Sequence, residues 1–293
     1  MPGFLDLPSQ LTDPDFARIH IIPVPYDQTS TYRKGADRGP AAIIDASSQI
    51  EWYDIETGTE IQQLGIHTQN PIECDHDDPV HLAPLVRDRV RKALESNTLP
   101  VIIGGEHSVS IGAIEATAAH AGPISILQID AHADTRDSYM GSTHNHACVM
   151  ARAREQGSIV QVGIRSIDQS ELAQMDEQRV FFAHDIHTMN QSNDYSWMDR
   201  VIEQLEEHVY LTIDLDAFDP SIIPSTGTPE PGGLDWYTIN ELIRRVARKR
   251  SIIAFDVVEL CPTPHHHASD FIAAKLIFRT LAEIFDARTP TQS

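Results

Sequence analysis

Apolar residues along this chain recur in two patterns. Short, nearly continuous runs at Val101 to Gly105, Ile124 to Ile129, Val209 to Ile213 and Ile252 to Leu260 are bounded by polar or turn residues, as expected of strands buried on both faces. Between them the spacing lengthens to three and four. Leu82, Leu85, Val86, Val90 and Leu94 mark one helix within Pro79 to Leu94, and Thr238 to Lys249 and Ser269 to Phe285 repeat the pattern. Further strands are predicted at Arg18 to Pro25, Gln62 to Ile66, Ile159 to Ile164 and Val180 to Ala183, and further helices at Pro40 to Ile50, Ser108 to His120 and Tyr195 to Glu207, with Ser108 as a cap. About eight strands, nearly all separated by helices, imply a three-layer α/β/α fold around a parallel sheet with right-handed crossovers. The 293 residues contain no linker or internal repeat, so a single domain over 1–293 is expected, frayed only at Met1 to Pro14 and Thr289 to Ser293.

Charge narrows the classes of partner. Forty-three acidic residues against 22 basic ones give a net charge of -21, which disfavours nucleic acid because phosphate binding needs a basic surface. Most of these carboxylates are expected to be solvated surface, although the field also suits a small cationic substrate. No apolar stretch reaches the roughly eighteen residues of a membrane span, and the first thirty residues lack a secretory pattern, so a soluble cytoplasmic protein is expected. Cys74, Cys148 and Cys261 are far apart and form no CxxC; they read as packing residues.

The candidate chemistry stands where the apolar runs end. Asp130, His132 and Asp134 follow one run at alternate positions, Asp214 and Asp216 follow another, and His107 follows a third behind Gly104 and Gly105. Carboxyl ends of strands are where open α/β sheets bind ligands. Four carboxylates and two imidazoles exceed what one cation needs and suit two divalent ions sharing carboxylates. The loop Tyr26 to Pro40 is long enough to overhang such a pocket. Asp75 to Asp78 with His76 reads as a solvated loop, and His265, His266 and His267, among prolines, as surface or interface.

Gly104-Gly-Glu-His-Ser108, Asp130-Ala-His-Ala-Asp134, Asp214-Leu-Asp-Ala-Phe-Asp-Pro220, Thr226-Gly-Thr-Pro-Glu-Pro-Gly-Gly233 and Asp256-Val-Val-Glu259 together resemble the ureohydrolase family, which includes arginase and agmatinase. The resemblance implies two Mn2+ ions per chain. His107, Asp130, Asp134 and Asp214 would hold one, and Asp130, His132, Asp214 and Asp216 the other, with Asp130 and Asp214 as bridges. It further implies that Glu259 receives the substrate guanidinium, that Asp134 orients the attacking water and helps pass a proton, and that His146 relays protons, with His144 as its competitor. Arg136 replaces the asparagine by which arginase helps bind the substrate carboxylate, so agmatine, cleaved to urea and putrescine in polyamine biosynthesis, is the expected substrate. A guanidino acid such as guanidinobutyrate is the enzymatic alternative, and a catalytically silent metal-binding regulatory subunit the alternative of another class. The resemblance also implies a homo-oligomer, trimer or hexamer.

Overall fold

The computed structural model describes residues 3–288. The alternation of patterns resolves into β1 (Ile19–Val24), α1 (Gly39–Ser47), β2 (Ile66–Thr68), α2 (Ala83–Glu95), β3 (Leu99–Gly104), α3 (Ser110–Ala121), β4 (Ile124–Ile129), α4 (Val149–Ala153), β5 (Ser158–Ile164), α5 (Gln169–Leu172), β6 (Val180–Phe182), α6 (Ala183–Gln191), α7 (Ser196–Glu203), β7 (His208–Asp214), α8 (Trp236–Lys249), β8 (Ser251–Val258) and α9 (Ala268–Arg288). The strands form one sheet in the order β2-β1-β3-β8-β7-β4-β5-β6, every pairing parallel. Successive residues of a strand face opposite layers. Val101 and Ile103 of β3 accordingly join the apolar layer containing α1, α7, α8 and α9, while Ile102 joins the layer containing α2, α3 and α4. The three-layer α/β/α expectation is met.

Several local expectations are revised. The second strand begins where it was expected to end: Ile61–Leu64 is a 3-10 turn, and Gly65, at φ 75°, reverses the chain into β2. The segment after Phe182 is helix α6, whose mostly polar exposed surface hides its period. The helix expected over Tyr195 to Glu207 is the shorter α7. Leu85 is 45% exposed, because α2 turns Val86, Val90, Ala93 and Leu94 inward instead. Ser108 does not cap its helix. The Glu106 carboxylate accepts from Ser108 N at 2.9 Å and from Ser108 Oγ at 2.7 Å, opening a 3-10 turn before α3. Nor is the amino-terminal segment frayed, since Phe4 and Leu5 are buried and Phe4 N donates to Thr68 Oγ1 at 2.8 Å; Met1, Pro2 and Thr289 to Ser293 lie outside the described residues. Cys148 and Cys261 are buried and free, and partly buried Cys74 packs on the core.

Candidate metal centre

Parallel strands end on one edge, so the candidate residues of β3, β8, β7 and β4, four neighbours in the sheet, arrive side by side. They converge by turns as much as by strand alternation. β4 ends at Ile129; beyond it His132 N donates to Asp130 Oδ1 at 2.6 Å, and Asp134 takes φ 52°. Asp214 closes β7 and accepts from Asp216 N at 2.8 Å. His107 follows Gly105, where a Cβ would lie 2.0 Å from the Tyr26 carbonyl oxygen, so only glycine admits this approach.

Two sets of ligand atoms result, His107 with Asp130 and Asp134, and His132 with Asp130 and Asp216, each gathered within 4.8 Å. His107 Nδ1 is 3.2 Å from Asp130 Oδ2, 3.0 Å from Asp134 Oδ2 and 3.5 Å from Asp214 Oδ2. His132 Nδ1 is 3.0 Å from Asp216 Oδ2 and 3.7 Å from Asp130 Oδ1. Asp130 therefore offers one oxygen to each set, the arrangement a bridging carboxylate requires. Asp214 leans to the His107 side.

Whether a cation fits is decided by His107 Nδ1. It is buried, surrounded by three carboxylates, and aligned with none of them as a hydrogen bond. Behind the ring, Nε2 meets Thr212 Oγ1 at 2.9 Å, and that hydroxyl donates to Asp256 Oδ1 at 2.6 Å, while Asp256 Oδ2 accepts from Tyr210 OH at 2.5 Å. The hydroxyl, already donating, must accept from Nε2–H, so Nδ1 is the nitrogen that faces the carboxylates, protonated while no cation is bound and offering its lone pair once one displaces that proton.

The charges agree. Burial first, then repulsion from Asp216, raises Asp130 to about 6; burial, then Asp216 and Asp130, holds Asp214 well above its ordinary range. Burial pulls His107 down, yet Asp130 and Asp134 hold it well above its usual value, and His132, opposed by burial, is raised to about 10 chiefly by Asp216. Without metal, protons are thus drawn to the place where divalent cations would displace them. The donor set fits two hard cations with some imidazole ligation.

Glu259 stands past β8 at φ 66°, a strained conformation for a non-glycine residue, with its N–H donating to the Gly105 carbonyl oxygen at 2.7 Å and its Oε1 accepting from His107 N at 2.7 Å. It lines a cavity of about 270 Å³ with His132, Asp134, Asp214, Asp216 and His146. Ser30 to Arg33 of the loop after β1 form part of its wall, as the length of that loop predicted. His146 is anchored by Thr29, whose Oγ1 accepts from His146 N at 3.1 Å and lies 3.0 Å from Nδ1; burial lowers its imidazole. His144 does not reach the wall and pairs locally with Thr143 Oγ1. His265, His266 and His267 are exposed, and Asp75 to Asp77 are surface residues. Asp78 caps Val80 and accepts from Ser142 Oγ at 2.7 Å.

Sequence reasoning missed Asp168 and Glu171, which also line the cavity. Their spacing carries a readable signal, the capping box that opens α5. Arg136 lies between them: Nε is 3.6 Å from Glu171 Oε2, Nη2 is 4.0 Å from Asp168 Oδ2, and the guanidinium stacks 4.4 Å over Tyr139.

Comparison with known proteins agrees with this geometry. The sequence profile described as the Arginase family matches residues 17–282. The chain is 37% identical over 275 residues to the N(1)-aminopropylagmatine ureohydrolase of Synechocystis sp., covering 90% of this chain and 88% of that one. It is 31% identical to the agmatinase of Pyrococcus horikoshii, over 94% of each. Among solved structures, the agmatine ureohydrolase of Thermoplasma volcanium superposes with a TM-score of 0.86 at 28% identity, covering 98% of this chain and 95% of that one. Motif order, sheet topology and these likenesses converge: the chain belongs to the Arginase family of ureohydrolases.

Proposed function

We propose that this chain, acting as one unit over 1–293, is a dinuclear manganese ureohydrolase of cationic guanidino-alkylamines, with N(1)-aminopropylagmatine preferred over agmatine. The observation that carries the reading is the state of Arg136. A guanidinium free in the wall would greet a substrate carboxylate, but this one already faces Glu171 and Asp168 and stacks on Tyr139. Two carboxylates beside it favour an amine-bearing tail over an acidic one. The relatives named for N(1)-aminopropylagmatine, at 35 to 37% identity, favour the longer amine.

His107 and Asp134 would serve one ion, His132 and Asp216 the other, with Asp130 and Asp214 shared. Two divalent ions there supply nucleophile activation at neutral pH and stabilise negative charge as it develops. Glu259 receives the guanidinium fork; burial, then Glu106, holds its carboxyl well above the ordinary range, and an arriving guanidinium favours the ionised form, so that Oε1, beside its bond from His107 N, and Oε2 can take two parallel charge-assisted contacts. Asp134 orients the attacking group. His146, kept neutral by burial, accepts and returns protons.

A second reading, hydrolysis of a guanidino acid, draws on Arg33, which lines the same cavity and forms no ion pair among the described residues. Urea release measured as kcat/KM over N(1)-aminopropylagmatine, agmatine, arginine and guanidinobutyrate decides between them. The expected order places both amines ahead of both acids by a hundredfold or more, the scale set by a mismatched buried charge. Preference for guanidinobutyrate would replace the proposal with the second reading.

A further inference from the structure

Arg165, the first residue beyond β5, makes more hydrogen bonds than any other side chain at the site edge, yet among the described residues it pairs with no carboxylate. Its guanidinium makes seven hydrogen bonds, all to backbone carbonyl oxygens. Nη2 donates to Asp216 O at 2.6 Å, Glu230 O at 2.8 Å and Phe218 O at 3.3 Å; Nη1 to Gly163 O and Ala217 O, both at 3.3 Å; and Nε to Pro231 O at 3.2 Å and Glu230 O at 3.3 Å. The backbone on the same stretch grips the other ligand turn: Arg165 N and Ser166 N both donate to Ala131 O, at 2.8 and 3.0 Å, beside the bridge from His132 to Ser166. Arg165 thus joins the turn carrying Asp130 and His132 to the turn carrying Asp216. It reaches neither His107 nor Asp134.

We propose that Arg165 is a positioning residue specific to the half of the centre formed by His132 and Asp216, fixing the two turns so that His132 Nδ1 and Asp216 Oδ2 meet one ion. The physical argument is the choice of acceptor. An arginine paired with the Asp216 carboxylate would compete with a metal for that carboxylate. Bonded to the Asp216 carbonyl instead, it leaves Oδ2 facing His132 at 3.0 Å while its charge still offsets the repulsion among the acids. The planar five-donor fork is needed for carbonyls arriving from three segments, and lysine cannot reproduce it.

The inference rests on the dinuclear reading, which the wild-type protein tests separately by binding two Mn2+ ions per chain. Titrating metal-free wild type and Arg165→Lys with Mn2+, followed by calorimetry and electron paramagnetic resonance, tests the positioning role. His132→Ala and His107→Ala provide the spectra of each half-site alone. Expected is one ion bound as tightly as in wild type, the other weakened at least tenfold, with the singly loaded spectrum matching His132→Ala. Arg279→Lys, a buried substitution remote from the centre, should lower melting temperature without this selectivity. Equal weakening of both ions, or wild-type binding of both, overturns the proposal, and so does a metal-free Arg165→Lys that cannot fold, since that makes the residue a determinant of the sheet. Wild type binding a single ion would instead remove the dinuclear reading itself.

Discussion

Glu259→Gln isolates the charge of one side chain while preserving its shape. The amide still accepts from His107 N, so both metals should remain, while the substrate cation loses its charge-assisted partner. Such contacts are worth about 1.5 to 3 kcal/mol each, so kcat/KM should fall about a hundredfold or more. Steady-state kinetics on a variant shown to be metal-replete checks this, and near-normal turnover would remove Glu259 from the guanidinium site. The histidine pair makes a second contrast. His146 lines the cavity and His144 does not, so His146→Asn should lower kcat by about a hundredfold, the low end of proton-transfer contributions, and His144→Asn should leave it unchanged. Two positions separate these residues in the chain, and spacing alone could not rank them. The Thr29 hydroxyl that orients His146 comes from 117 residues away.

At the scale of elements, the carboxyl-terminal helix α9 is held by a buried ionic clasp. Arg279 pairs with Asp54 and with Glu283, the latter at 2.7 Å, and all three are at most 3% exposed; Glu56 adds an outer contact at 3.1 Å. Removing the cation strands two buried carboxylates, so Arg279→Leu should cost about 3 to 5 kcal/mol at neutral pH, read from denaturant unfolding. The dependence on pH has a definite sign. Burial works to raise Asp54, but Arg279 and Thr57 hold it below the ordinary 3.8, so its contribution is present above that value and is lost as pH falls through its lower folded value. In Arg279→Leu the stranded carboxylates, raised by burial, take up protons already above their ordinary values, so the gap to wild type should start to narrow there as pH falls and narrow further below about 3.8, where wild-type Asp54 loses its contribution; a gap constant with pH would show that these carboxylates are not the groups responsible. Nothing in the local pattern announced this clasp, since Asp54 lies in an irregular segment 225 residues from its partner.

Across the whole molecule, β4, β7 and β8 deliver carboxylates to one buried edge beside His107 of β3, and their mutual repulsion is relieved by protons or, on the reading proposed above, by divalent cations. Chelation should lower the melting temperature and Mn2+ should restore it, since binding at a hundred times Kd adds about 2.7 kcal/mol per site. An unchanged melting curve would mean that the carboxylate cluster is stable without metal.

The parallel α/β class was determined by the chain alone, because strands buried on both faces write near-continuous apolar runs and the helices between them write a period near four. The candidate ligands were legible for the same reason: each follows such a run, and all strand ends of a parallel sheet share an edge. Tertiary structure decided what depends on long-range approach. It placed β8 between β3 and β7, bringing Glu259 beside His107. It aimed His107 Nδ1 through Thr212 and Asp256, and turned Arg136 toward Glu171. Those outcomes depend on strand order, turn geometry and which polar groups meet once buried, none of which leaves a periodic trace in the sequence.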